Sequence, residues 1–134
     1  MAAITIIDDE KRNLSFHPDL KVIHHTMKSP VNGRDFRDLL TRGAECMEKH
    51  RATKWLSDDR KNGPIGPEDA IWGETIWGPR VLRAGFKFWA IVVPSSAVGS
   101  LQMRRFANEY RERGVGVEVF DALEPAWTWL KSVG

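Results

Sequence analysis

The sequence predicts an α/β domain built on a mainly parallel sheet, and three observations carry that prediction. Strand-like and helix-like segments alternate over most of the chain in the order β-β-β-α-β-α-β-α-β-α, and such alternation requires right-handed crossovers between parallel strands. The stretch from Phe86 to Val93 is almost continuously apolar, as a strand buried on both faces would be. Residues 32–49 repeat apolar side chains at helical spacing opposite one charged face, which fixes the first crossover helix.

Residues 3–7 are rich in β-branched side chains and end at the acidic turn Asp8-Asp9-Glu10. Asn13 to His17 reads as a second strand, closed by Pro18-Asp19, where proline pre-sets the turn. Leu20 to Met27 reads as a third, so the chain is expected to open with an antiparallel meander. Asn32 is expected to N-cap the first helix with Asp35 as its capping-box partner. On that helix Phe36, Leu39, Leu40, Gly43, Ala44 and Met47 share one side, with Cys46 at its margin. Thr53 to Ser57 is a short strand, and the loop of residues 58–66 comes after it. Pro67 suits the first position of the next helix, and Glu68 and Asp69 suit the positive end of its dipole. That helix should reach Ala84, bent by Pro79 and ended by Gly85. Val98 to Arg113 is the third helix, with Met103, Phe106, Ala107 and Tyr110 inward and Gly114 as its stop. Val115 to Phe120 is the last strand. Asp121 and Glu124 are expected to cap the final helix, whose core stripe is Ala122, Ala126, Trp129 and Leu130. No linker or internal repeat divides the chain, so residues 1–134 are expected to form one domain.

Composition narrows the function classes. Twenty basic and 18 acidic residues leave a formal charge of +2, too balanced for a chain that mainly grips phosphate backbones. The arginines at 104, 105, 111 and 113 are interrupted by Glu109 and Glu112, so no one-signed stripe forms and nucleic acid is not an expected partner. A single cysteine, Cys46, excludes an internal disulfide and a multi-cysteine metal cluster. The N-terminus lacks a basic segment leading into a long apolar run, and the longest apolar run is Phe88 to Pro94. Neither a signal peptide nor a membrane span is expected, and the expected location is the cytoplasm.

A set of ordered motifs then stands out. Lys54-Trp55-Leu56-Ser57-Asp58-Asp59-Arg60 is succeeded by Glu68-Asp69 with Trp72, then by Trp77-Gly78-Pro79-Arg80 and Gly85. Trp89-Ala90-Ile91-Val92-Val93-Pro94, Phe120-Asp121 and Ala126-Trp127-Thr128-Trp129-Leu130 come after them. Together these resemble bacterial STAS-like proteins related to the SpoIIAA anti-sigma-factor antagonists, over Leu14 to Leu130. The resemblance implies a STAS (SpoIIAA-like) fold, shared in outline with CRAL-TRIO lipid-transfer domains. It also implies a regulatory or binding role, because the antagonists capture a kinase-like partner and other STAS domains hold small molecules. The antagonists carry a switch serine in an Asp-Ser-Ser-Gly-type motif after the central strand. Here the region reads Ile65-Gly66-Pro67-Glu68-Asp69, which has no hydroxyl, so that switch is not expected.

In an open parallel sheet ligands favour the crevice beyond the carboxyl ends of the strands. The candidate ligand site is therefore Trp55, Asp58, Asp59, Arg60, Trp72, Pro94, Ser95 and Ser96, set against an ordinary collection of turns and caps. Ser96 at a helix start could hold phosphate, but a helix cap is the better reading and no P-loop signature is present. No EF-hand spacing supports a metal on Asp58, Asp59, Glu68 or Asp69, and the adjacent His24 and His25 should point to opposite sheet faces. No catalytic constellation and no cofactor or metal site is visible in the spacing. Trp55, Trp72, Trp89 and Trp129 project as core. Trp77 projects with Ala70 and Val81 on a second helix face, about 140° from Ile71, Trp72, Thr75 and Ile76. Ala70, Trp77 and Val81 are thus the candidate partner surface, expected to form a homodimer. The function expected is a non-enzymatic STAS-like module binding a partner protein or a small, partly apolar ligand with a polar or anionic end. Its rivals are a stand-alone lipid- or metabolite-binding protein, an enzyme using Asp58 or Asp59 as a base, and a structural dimer.

Overall fold

The computed structural model describes residues 2–134. Six strands, β1 Ile4–Asp8, β2 Arg12–His17, β3 Val22–Met27, β4 Lys54–Asp58, β5 Phe88–Val92 and β6 Gly116–Phe120, form one sheet in the order β1-β2-β3-β4-β5-β6. The first three pair antiparallel and β3 through β6 pair parallel. The mixed sheet is therefore the meander and the crossover series joined at β3.

The helices are α1 Gly33–His50, α2 Pro67–Trp72, α3 Gly78–Ala84, α4 Ala97–Glu112 and α5 Leu123–Ser132. A π-helical turn, Gly73–Trp77, joins α2 to α3, so the two run on as one rod and the described residues form four helical units. A sheet that grows in one direction by crossovers of one hand places every crossover helix on the same face. The packing obeys that rule. Leu39 and Met47 of α1, Val81 of α3 and Met103 and Ala107 of α4 share one core with Ile23, Trp55, Trp89 and Ile91. On the other face Ala126 and Leu130 of α5 cover Val22, Leu56, Ala90 and Val92. Lys54 secures α5 from below: its Nζ donates to the carbonyls of Leu130 and Val133 at 2.6 and 2.7 Å, filling orphan acceptors at the helix end.

The predicted elements and their order are present, and the face of α1 is as expected, with Cys46 buried beside it. Burial pushes the Cys46 thiol up to about 11, which suits a structural thiol rather than a nucleophile. Three local expectations are corrected. Asn32 stands at the N-cap position with extended backbone, but its side chain makes no cap bond. The cap comes from another helix: Asp69 Oδ2 accepts from the Gly33 N–H at 2.8 Å, and Asp69 Oδ1 pairs with Arg37 Nε at 3.0 Å. The last helix starts at Leu123 after Ala122, so Asp121 makes no cap and Ala122 is exposed.

The third correction concerns the expected partner surface. Trp77 and Val81 are 7% and 0% exposed and lie in the core, whereas Ile71 and Ile76 are 60% and 58% exposed. For Trp77 and Val81 the cause is the π turn. Its wider loop, closed by the Gly78 N–H on the Gly73 carbonyl, holds one more residue than an α turn and rotates the rod beyond it by about 100°. Pro79, which has no N–H to give, is the second residue of α3, just beyond the turn. Trp77 thereby swings inward, and its Nε1–H donates to the Leu40 carbonyl of α1 at 2.8 Å. Ala70 is half-buried in the same wall.

Candidate functional site

Along β4 side chains alternate between the two faces of the sheet. Lys54, Leu56 and Asp58 face α5, while Trp55 and Ser57 face α1 and α4. Asp59, next in phase, falls on the same side as Trp55. The neighbouring strand brings His25 level with Ser57, and β5 brings Trp89 level with Trp55. These residues floor a cavity of about 260 Å³ between the sheet, the rod of α2 and the π turn, and α4. Its walls are aromatic and aliphatic, with Trp77, Met103, Phe106 and Tyr110 foremost, and its rim carries Ile71, Glu74, Arg105, Glu109 and Arg113. Trp55 meets Trp77 edge-on at 5.3 Å, and Trp89 meets Tyr110 edge-on at 5.0 Å, the arrangement that ring quadrupoles favour. Burial raises the Tyr110 phenol to about 12, so it stays a neutral wall.

The polar floor is held by directed bonds. Trp55 Nε1–H donates to His25 Nδ1 at 2.9 Å, and His25 Nε2 meets Asp59 Oδ1 at 2.8 Å. An indole only donates, so the ring proton sits on Nε2 and is given to Asp59. Trp89 Nε1–H donates to Ser57 Oγ at 2.8 Å. Asn62 Oδ1 accepts from the Val31 N–H at 2.9 Å, and Asn62 also lines the cavity. A serine, a histidine and an aspartate thus lie together. They do not form a nucleophilic relay, because the imidazole nitrogen that would take the serine proton is occupied by Trp55.

The residues expected to form a ligand site divide between two places. Trp55 and Asp59 line the cavity. Asp58 lies on the opposite face in a forked pair with Arg60, Nε to Oδ1 at 2.9 Å and Nη2 to Oδ2 at 2.8 Å. Asp58 is held below the usual carboxylate range: burial opposes this, but the Arg60 hydrogen bonds and charge outweigh it. Trp72 packs edge-on against Phe36 at 6.5 Å, under the Arg37 guanidinium. Pro94 to Ser96 meet the Arg60 loop, but through a backbone bond, Ser95 N–H to the Arg60 carbonyl at 3.3 Å, that ties the loops together. Ser96 caps α4, its Oγ accepting from the Gly99 N–H at 3.0 Å. His24 and His25 point to opposite faces, and His24 packs with His17 against Trp127. The residues that sequence reasoning missed are His25, Ser57 and Asn62. Strand alternation carried on to Asp59 is the signal that would have separated it from Asp58 and grouped it with Ser57.

Among the described residues no cluster of three or more metal-ligating side chains occurs, and no helix is long and apolar enough to cross a membrane. No family model, curated protein or solved structure matches the chain.

Proposed function

We propose that this chain is a STAS-like binding module, without chemistry of its own, that holds a compact and mainly apolar small molecule in the cavity beneath α2 and α4. One observation carries the reading: an aromatic-walled cavity of about 260 Å³ whose few polar groups converge on its floor. Sites for small molecules are mostly apolar clefts with a small number of placed polar groups. An apolar cavity of about 150 Å³ takes up benzene, so this one has room for about ten non-hydrogen atoms. That size favours a ring with a short side arm over a long acyl chain. The motif order from Leu14 to Leu130 supports the STAS-like assignment, in which binding rather than catalysis is the common theme.

Calorimetric titration with n-propylbenzene tests the reading. Saturable binding at one site per chain is expected. It should disappear in Ala70→Trp, which extends an indole into the cavity from its half-buried wall position. Absence of saturable heat, or equal binding by the filled variant, would overturn the assignment.

A further inference from the structure

Two of the carboxylates that line the cavity are buried, and they are treated differently by the fold. Asp69 is satisfied on both oxygens, by the Gly33 N–H at the start of α1 and by the Arg37 guanidinium. Asp59 is 4% exposed and receives one hydrogen bond, from His25 to Oδ1. Its Oδ2 has no partner among the described residues, and it is not among the sealed unpartnered atoms, so it opens into the cavity that Asp59 lines. Both nitrogens of the His25 ring are engaged, Nε2 with Asp59 Oδ1 and Nδ1 with the Trp55 Nε1–H. At the rim Glu74 and Glu109 balance Arg105 and Arg113, and Arg113 lies over the Tyr110 ring at 5.7 Å. The inner cavity therefore presents one carboxylate oxygen, without an arginine or lysine partner, among the rings of Trp55, Trp77 and Trp89. Buried carboxylates are ordinarily paired, and aromatic faces attract cations.

We infer that the cavity selects an organic cation, a primary ammonium or amidinium on a small apolar body, with the charged group on Asp59 Oδ2 and the body against the tryptophans. This rests on reading the cavity as a ligand site. The Asn62 amide and the Ser57 hydroxyl line the same cavity and are available to an acceptor carried beside the cation. The preference opposes the anionic form of the polar or anionic end expected from the sequence, because the arginine meant to receive it, Arg60, is bound to Asp58 on the other face of the sheet.

The experiment compares three probes of about the size the cavity holds, by calorimetry on the full chain: phenethylammonium, n-propylbenzene and phenylacetate. Phenethylammonium is expected to bind at least about tenfold more tightly than either of the others, the scale of one hydrogen bond to a charged group. Asp59→Asn, which keeps the shape and an acceptor for His25, should erase that preference, bringing phenethylammonium down to the affinity of n-propylbenzene measured on the same variant. If n-propylbenzene or phenylacetate binds as well as the amine to the unaltered protein, the cation inference is wrong and the cavity reading survives. If none of the three binds, both are wrong. The ranking on the unaltered protein decides the matter even if Asp59→Asn folds poorly.

Discussion

Replacing Gly43 by alanine offers a sharp test of how the site is supported, because two effects oppose each other and the structure says which prevails. Gly43 lies in the middle of α1, where alanine is the better helix former by about 1 kcal/mol, so propensity alone predicts stabilisation. The added methyl would overlap Cη2 of Trp55 and come within 2.7 Å of Cζ3 and 3.0 Å of Cζ2. The ring cannot step aside cheaply. It is 1% exposed, tethered to His25 through Nε1 at 2.9 Å, and backed by the edge of Trp77 at 5.3 Å. Overpacking of this kind costs about 1–3 kcal/mol and sometimes more; a contact this close belongs at the upper end, so a net loss of about 2 kcal/mol is expected after the helix gain is subtracted. Gly73→Ala is the internal control. Gly73 has ordinary helical backbone and open space around its missing methyl, so that variant should gain up to about 1 kcal/mol. Urea unfolding monitored by far-ultraviolet dichroism gives both numbers, with m-values confirming that only stability has changed. Gly43→Ala unfolding at the same or higher urea concentration than the parent would refute the packing argument and with it the account of how Trp55 fixes His25.

The same geometry sets other expectations. Trp77→Glu should unfold the chain rather than yield a folded monomer, and Trp77→Ala should cost about 3–5 kcal/mol by thermal melting; a folded, soluble Trp77→Glu protein would show the π turn misplaced. Asp69→Ala should cost about 1–3 kcal/mol by removing a buried acceptor from Gly33 and Arg37, whereas Asn32→Ala should change stability by less than about 0.5 kcal/mol because no side-chain bond is lost; the reverse ranking in urea melts would contradict the capping scheme. Burial above all depresses His24 to about 4 from an ordinary 6.5. The unfolded chain therefore takes up that proton first, so stability is full above about pH 6.5 and declines as pH falls toward 4, by up to about 3 kcal/mol. His24→Gln should flatten this part of the stability–pH profile, and an unchanged slope would mean that His24 is not its source.

Much of the architecture is legible in the sequence because it depends on short-range patterns. The apolar side of α1 from Phe36 to Met47, the buried run ending at Val93, and Ser96 ahead of α4 each encode their element within a few residues. The features that the sequence conceals depend on partners far along the chain. Asp69 reads locally as an answer to its own helix dipole, yet it serves α1 because packing brings Gly33 to it. Trp77 reads as an outer residue because a helical wheel assumes a constant turn, and one π turn breaks that assumption. The cavity floor joins His25 to Trp55 and Asp59 across the parallel register of β3 and β4, a pairing that no local motif announces.

The strand order carries a consequence for how the protein is made. Every strand pairs only with its immediate predecessor and successor, so no strand has to be threaded between two that are already joined. The sheet can lengthen at one edge as the chain emerges during synthesis, with the local β1–β3 meander first and each parallel strand added after a single crossover. Closing a loop of one crossover helix is entropically modest, and pairings near in sequence form early. The exposed interval falls at the end. Until α5 emerges, the face made by Val22, Leu56, Ala90 and Val92 has no cover, so a nascent chain halted before Leu123 presents an apolar sheet surface to its surroundings, and the ten residues of α5 are what make the finished sheet safe in water.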